Sequence, residues 1–191
     1  MNNEGQALAI SDEQHEKMMN HLSQSRHAAR DIAIYALTRF AGLRIGTVAK
    51  LTMSDILDSD GSLKKVVILR RNITKGGKTI TSYFSHPVLR QSLESWLKTR
   101  ASRSPETVFF SQKGSPFSPN SLAQVMLKHY NRAGLEGCSS HSGRRTCLTH
   151  LLKNGVDIVA VSKIAGHSSI ATTQRYIHHD QDELLSAMAL T

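Results

Sequence analysis

The interpretation of this chain begins with one stretch, residues 139–176: SSHSGRRTCLTHLLKNGVDIVAVSKIAGHSSIATTQRY. A His-x-x-Arg pair, His141 and Arg144, comes first, and a Gly-His pair that ends at His167 follows. Tyr176 stands nine positions after His167. Because His141 and Arg144 are three positions apart, a helix would place them on one face.

These side chains are the groups that a phosphoryl-transfer site without a metal needs. An arginine such as Arg144 can donate two parallel hydrogen bonds to phosphate oxygens. A histidine can accept or release a proton near neutral pH. A tyrosine hydroxyl can attack phosphorus and form a covalent ester. The stretch therefore predicts a site for covalent phosphoryl transfer, with Tyr176 as its nucleophile.

Two upstream motifs extend the pattern. Arg44 lies in AGLRIGTVAKL and Lys75 lies in ITKGGKTI. In this order the motifs resemble those of the tyrosine recombinases, also called phage integrases, and the resemblance covers residues 26–180. One His-x-x-Arg alone is weak evidence, whereas six positions in the right order and spacing are specific.

The sequence departs from the usual pattern of this family at three positions. Gly143 stands where the family usually has leucine, and Arg145 stands where it usually has histidine. Thr47 stands where the family often has glutamate. None of these departures removes a position that the resemblance counts as catalytic.

The resemblance assigns a role to each matching residue. Tyr176 attacks the scissile phosphorus, and His141 is the expected base that takes its proton. Arg44 and Arg144 hold the non-bridging oxygens, Lys75 protonates the leaving 5′-oxygen, and His167 contacts the phosphate or orients the site. Neither a cofactor nor a metal ion is expected in this chemistry.

The β-hairpin motif contains two lysines, and the residues alone do not choose between them. Lys75 and Lys78 flank a Gly-Gly pair that suits a tight turn. The resemblance places the catalytic lysine at Lys75 and leaves Lys78 as the alternative. Lys78 and Arg145 are also candidates for contacting DNA.

Composition points to a nucleic acid partner. The 191 residues include 24 lysines and arginines against 15 acidic residues, a net charge of +9. This balance favours a polyanion, with double-stranded DNA as the first expectation. The chain has two cysteines, no zinc-ligand spacing and no P-loop, and it has no signal peptide or membrane-spanning run. We expect a cytoplasmic protein of bacterial or phage origin, associated with the nucleoid and with no membrane partner.

The fold class expected is mixed α/β, mainly helical, with a small antiparallel β-sheet. We divide the chain into an N-terminal arm or helix (1–25), the catalytic domain (26–180) and a C-terminal helical tail (181–191). Ser168 is expected to cap the helix that carries Tyr176. Periodicity and capping residues predict helices starting after Ser11 and at 26–40, 46–51, 87–99, 118–132, 140–153 and 157–165, with strands at 64–72, 79–84 and 108–110.

The resemblance also has consequences for assembly. Longer family members carry an N-terminal helical domain that closes a clamp around DNA, and this chain resembles the compact form with the catalytic domain only. We expect a homo-tetramer on paired DNA sites, with an accessory DNA-bending protein or a partner recombinase compensating for the missing clamp.

Two other functions share part of this pattern. A DNA-binding regulator that has lost activity would use the helix–turn–helix-like segment 140–165, but it would leave the catalytic set unexplained. A type IB topoisomerase shares the tyrosine chemistry. Relaxation of supercoiled plasmid without a target site would favour the topoisomerase, whereas recombination at paired sites only would favour the recombinase.

Overall fold

The computed structural model describes residues 7–100, 106–177 and 188–189, and these are mainly helical with one two-stranded antiparallel sheet. Within these ranges, none of the helices combines the length and hydrophobicity that a bilayer crossing requires. The elements in chain order are α1 (Asp12–Ser23), α2 (Ala28–Phe40), α3 (Ile45–Val48), α4 (Met53–Ile56), β1 (Val66–Leu69), β2 (Ile80–Tyr83), α5 (Pro87–Thr99), α6 (Pro119–Arg132), α7 (Ser142–Lys153), α8 (Ile158–Ala165) and α9 (Ile170–Gln174).

Polar caps fix the start of several helices. Ser11 forms a capping box at α1, accepting from the Gln14 amide at 3.2 Å while the Gln14 side chain accepts from the Ser11 amide at 3.0 Å. Ser118 and Asp157 also cap their helices: the Ser118 side chain accepts from the Ser121 amide at the start of α6, and the Asp157 side chain accepts from the Val159 and Ala160 amides at the start of α8. The starts predicted at these three positions are confirmed.

Helix α2 is the centre of the core. The sequence predicted one apolar face, but the helix is buried almost all round because it packs against α1, α5 and α7. Its polar residues are paired inside: Arg30 Nε donates to Asp31 Oδ1 at 2.8 Å, and His129 Nε2 lies 3.1 Å from Asp31 Oδ2. Pairing of this kind lets charged groups be buried without a large desolvation cost.

The N-terminal segment belongs to the same core. Met18 and Leu22 of α1 are fully buried against α2 and α6. The Ile10 amide donates to Thr146 Oγ1 of α7 at 2.8 Å. The division into 1–25, 26–180 and 181–191 stays a prediction, and the tail falls almost entirely outside the described residues.

The hairpin is shorter than predicted. Its ladder runs from Val66 paired with Tyr83 to Leu69 paired with Ile80, although strands were predicted at 64–72 and 79–84. Beyond the pair of Leu69 and Ile80 the chain leaves the sheet, and the side chain of Ile73 is buried in the hydrophobic core. Residues 70–79 therefore form an extended hairpin tip outside the ladder.

Two other boundaries differ from the sequence prediction. In the stretch predicted as a strand at 108–110, Phe110 forms an isolated bridge with Pro116, and the preceding Thr107 forms another with Thr52. The helix predicted at 46–51 is the four-residue α3, which ends at Val48.

Gly143 allows α7 to approach α2 closely. A Cβ atom at this position would collide with the Thr38 hydroxyl and would lie 3.2 Å from the Arg39 backbone nitrogen. Backbone atoms cannot move aside as a flexible side chain can. The glycine that stands in place of the usual leucine is therefore a packing requirement of this chain.

We predict that Gly143→Ala lowers the free energy of unfolding by about 1–3 kcal/mol, as overpacking does in a well-packed core. Gly46→Ala is the matched control, since a Cβ there would lie 3.5 Å from the Pro119 side chain, an ordinary contact. Chemical denaturation of both variants measures the effect. Equal or greater stability of Gly143→Ala than of the unchanged chain would contradict this account, because alanine is intrinsically the better helix former.

Candidate active site

One cavity of about 460 Å³ brings the six candidate catalytic side chains together. It lies between the start of α3, the hairpin tip, the start of α7 and the α8–α9 segment. Among the described residues that line it, none is acidic. The lining residues are Ala7, Arg44, Lys75, Ser139, His141, Arg144, Arg145, His167, Thr172, Arg175 and Tyr176.

Arg144 is held rigidly at the base of this cavity. Only 5% of the surface of Arg144 is exposed to solvent. The Nη1 atom donates to the carbonyl of Gly42 at 2.6 Å, and Nη2 donates to the carbonyl of Ala165 at 2.7 Å. Burial, followed by the charge of Arg44, lowers the pKa of Arg144 to about 10, so the guanidinium stays charged at neutral pH.

Both carbonyls that hold Arg144 depend on glycines in the left-handed region. Gly42 has φ of 63° and turns the chain after α2. Gly166 has φ of 61° and ends α8 directly after Ala165. A Cβ on Gly166 would also collide with Ile80 of β2. Turn geometry and close packing thus explain why glycine stands at Gly42, two residues before Arg44, and at Gly166, directly before His167.

Arg44 occupies the predicted place at the start of α3, as its N-cap residue. Its Nη1 lies 3.5 Å from the carbonyl of Ala165, a weak contact compared with the 2.7 Å bond from Arg144 to the same oxygen. Partial burial lowers the pKa of Arg44. Its guanidinium is therefore less constrained than that of Arg144 and keeps donors available for a ligand.

The protonation of His167 follows from its two neighbours. Its Nε2 lies 3.0 Å from Arg144 Nη2, and because a guanidinium only donates, Nε2 must accept. The proton of the neutral ring is then on Nδ1, which donates to Thr173 Oγ1 at 2.8 Å. Burial, followed by the charges of Arg144 and Arg44, lowers the pKa of His167 to about 4.

Tyr176 was predicted to lie on a helix, but it lies just beyond the end of α9. The cap of α9 is Ser169 rather than Ser168, so the helix begins one residue later than expected and ends at Gln174. The Tyr176 ring stacks on His167, with centroids 5.9 Å apart and planes at 11°. The guanidinium carbon of Arg145 lies 5.7 Å from the centre of the Tyr176 ring.

His141 and Lys75 also line the cavity. His141 is the N-cap residue of α7. Partial burial and the charges of Arg144, Arg44 and Lys75 lower the pKa of His141, which favours a neutral ring that can accept a proton. Lys78 instead lines a separate cavity of about 580 Å³ between β2 and α8.

Comparison with known proteins agrees with this arrangement. The family model described as the phage integrase family matches residues 9–183. The chain belongs to this family. The family and the fold class predicted from the motifs are therefore confirmed.

Two relatives illustrate the match. Tyrosine recombinase XerC of Corynebacterium glutamicum is 31% identical over 160 residues, which are 83% of this chain and 49% of that protein. XerC of Pseudomonas savastanoi pv. phaseolicola is 36% identical over 160 residues, 82% of this chain and 50% of that protein. The chain spans about half the length of the curated relatives it matches.

Solved structures share the fold at lower identity. XerA recombinase superimposes with a TM-score of 0.77 at 24% identity, over 96% of this chain and 64% of that one. XerH recombinase in a pre-cleavage complex with its difH substrate gives 0.73 at 24% identity, over 98% of this chain and 56% of that one. The phage integrase catalytic fold is thus common to all of them.

Two residues that sequence reasoning missed contribute to this candidate site. Thr173 is fully buried and fixes the orientation of His167. Arg175 lines the cavity and adds a positive charge beside Tyr176. The position next to the tyrosine could have indicated Arg175, but no sequence signal separates Thr173 from the adjacent Thr172.

We predict that acid weakens the fold through His167. The native pKa of about 4 lies below the ordinary value of 6.5, so between these pH values the unfolded chain binds a proton that native His167 does not. Stability is therefore lost as the pH falls through this window. His167→Gln should lose less stability than the unchanged chain across it, as measured by denaturation at each pH. An NMR titration in which the His167 ring titrates near 6.5 would contradict the prediction.

Proposed function

We propose that this chain is a site-specific DNA recombinase that cleaves and rejoins DNA through a 3′-phosphotyrosine intermediate. One observation carries the proposal: Tyr176 shares a single cavity with two buried or half-buried guanidinium groups, those of Arg44 and Arg144. A nucleophile beside two cationic side chains suits attack on a phosphodiester, whose transition state gathers negative charge on its oxygens.

Cleavage begins with the hydroxyl of Tyr176. The oxygen attacks the scissile phosphorus, the bond from phosphorus to the 5′-oxygen breaks, and a 3′-phosphotyrosine and a 5′-hydroxyl form. His141 takes the proton of the tyrosine, a role supported by the lowered pKa that keeps its ring neutral. Lys75 gives a proton to the departing 5′-oxygen, and its place beside Arg44 in the cavity favours it over Lys78.

The two arginines bind the non-bridging oxygens. Arg144 is oriented in advance by its carbonyl partners, so little reorganisation is needed when charge develops on the phosphorane. His167 accepts a hydrogen bond from Arg144, which supports an orienting role over direct donation to the phosphate. Rejoining reverses the step, with the 5′-hydroxyl of another strand attacking the ester. No nucleotide cofactor is required, because the ester conserves the energy of the broken bond.

Double-stranded DNA is the proposed partner. The chain carries a net charge of +9, and the described residues lining the cavity include four arginines, one lysine and no acid. Such a surface attracts a phosphate backbone. The enzyme would act at the bacterial nucleoid, with Lys78 and Arg145 as further contacts to the backbone.

Assembly as a homo-tetramer on paired sites is part of the proposal. Exchange between two duplexes breaks four strands, and each protomer supplies one nucleophilic tyrosine, so four protomers account for one full exchange. An accessory DNA-bending protein or a second recombinase is a further proposed partner.

We expect Tyr176→Phe to bind DNA but to form no covalent adduct, because only the nucleophilic oxygen is lost. The probe is a pool of nicked duplexes of random sequence, and adducts that survive denaturing electrophoresis are recovered and sequenced. The unchanged chain should trap a defined set of sequences. An adduct formed by Tyr176→Phe would remove Tyr176 from the nucleophile role, and no adduct with either protein would contradict the proposed function.

We expect Arg144→Lys and Arg44→Lys each to slow cleavage of the selected duplex by about 100-fold or more, as loss of a transition-state donor does. Lysine keeps the charge but cannot make the two-pronged contact. Arg90→Lys is the matched control, since the Arg90 guanidinium also binds backbone carbonyls but lies away from the cavity. Near-normal cleavage by either site variant would contradict the clamping role of that arginine.

A further inference from the structure

The tip of the hairpin needs an anchor outside the sheet. The ladder ends where Leu69 pairs with Ile80, and Lys75 lies five residues before that end of β2. Gly76 and Gly77, with φ of 87° and 64°, follow it directly. Glycines leave many conformations open, so holding an ammonium group in one place requires contacts that restrict the tip.

Thr47 supplies such a contact. Its hydroxyl donates to the backbone carbonyl of Ile73 at 3.2 Å, and both residues are buried, 6% and 5% exposed. Thr74 then donates to the carbonyl of Lys78 and closes the tip on itself. The chain from Ile73 to Lys75 is therefore held at one end by a side chain of α3.

The same short helix carries Arg44. Arg44 is the N-cap residue of α3 and Thr47 is its third residue, so one element places both the phosphate-binding arginine and the anchor of the lysine. A cavity of about 310 Å³, lined by Arg44, Thr47, Lys75 and His141 among others, lies where helix and tip meet. The charge of Lys75 is also close enough to contribute to the lowered pKa of His141.

We propose that Thr47 is a positioning residue for the general acid. Its hydrogen bond to the Ile73 carbonyl holds Lys75 beside Arg44, where the 5′-oxygen leaves. The proposal deepens the proposed function and rests on it. Lys75 touches the reacting atoms, whereas Thr47 acts only through the tip.

The interaction depends on a hydrogen-bond donor. A carbonyl oxygen only accepts, so the Thr47 hydroxyl must donate. An ionised glutamate, which the family often has at this position, could not give this bond. Valine has nearly the shape of threonine without the donor, and serine keeps the donor without the methyl group. These two substitutions separate hydrogen bonding from packing.

The leaving group gives a test of where Thr47 acts. In the oxygen substrate, the breaking bond releases a 5′-alkoxide that takes its proton from Lys75. When the 5′-bridging oxygen is replaced by sulfur, the departing thiolate is stable without a proton, so the general acid becomes unnecessary. If a substitution slows cleavage by misplacing Lys75, the rate should therefore return to normal with the sulfur substrate. If it slows cleavage by weakening binding or folding, the rate should stay low.

The experiment compares single-turnover cleavage of matched oxygen and sulfur duplexes. Both carry the DNA sequence that the unchanged chain traps as a covalent adduct. We expect Thr47→Val to slow cleavage of the oxygen duplex by about 10-fold to 100-fold, the scale of a misplaced general acid. With the sulfur duplex its rate should lie within about 3-fold of the unchanged chain, as for Lys75→Ala. Thr47→Ser should cleave both duplexes normally.

Two further variants sharpen the result. Combining Thr47→Val with Lys75→Ala should be no slower on the oxygen duplex than Lys75→Ala alone, because both act on one step. Thr99→Val is the matched control, since the Thr99 hydroxyl also donates to a backbone carbonyl, that of Trp96 at 2.9 Å, away from the site. It should cleave at the normal rate.

Each contrary outcome has a defined meaning. A Thr47→Val rate that is normal on oxygen, or equally slow on both duplexes, overturns the positioning role. Sulfur rescue of Lys78→Ala in place of Lys75→Ala also overturns it, because the acid would then be the other lysine. Failure of the proposed function is distinct: the unchanged chain would then form no adduct with either duplex.

Discussion

The structure of this site depends on one guanidinium and two carbonyl oxygens. Arg144 of α7 donates to Gly42, which follows α2, and to Ala165, the last residue of α8. A single buried side chain thereby fixes three segments that are far apart in sequence. Hydrogen bonds from a charged donor are stronger than neutral ones, and leaving this donor unpaired in the interior would be costly.

This constraint explains why the fold surrounds the cavity as it does. Gly42 and Gly166 must adopt left-handed conformations to deliver the carbonyls, and Gly166 must also lie against Ile80 of β2. The hairpin is thus positioned against the end of α8, and its tip reaches the cavity beside Arg44. Helix capping, sheet packing and the catalytic arginine are linked through the same few backbone atoms.

The sequence indicated the candidate catalytic residues but not the groups that support them. Arg44, His141, His167 and Tyr176 could be chosen as candidates because phosphoryl transfer restricts which side chains suit each step, and their spacing is specific. The supports are backbone carbonyls and hydroxyl groups, as at Thr173, whose partners depend on long-range packing. The strand predicted at 64–72 was too long for a related reason: Arg70 follows the end of the ladder and donates to both carboxylate oxygens of Asp55, a partner that only the fold brings near.

The described residues that line the cavity make it strongly positive. Arg44 and Arg144 lie close enough for one charge to lower the pKa of the other, and no acid among the described lining residues compensates them. The pKa of His167 and that of His141 are lowered, so both rings stay neutral at pH 7 and add no further repulsion. A phosphate diester between the guanidinium groups relieves this repulsion. Any ligand that binds only the folded chain also stabilises it, so binding of the proposed DNA partner would stabilise the site.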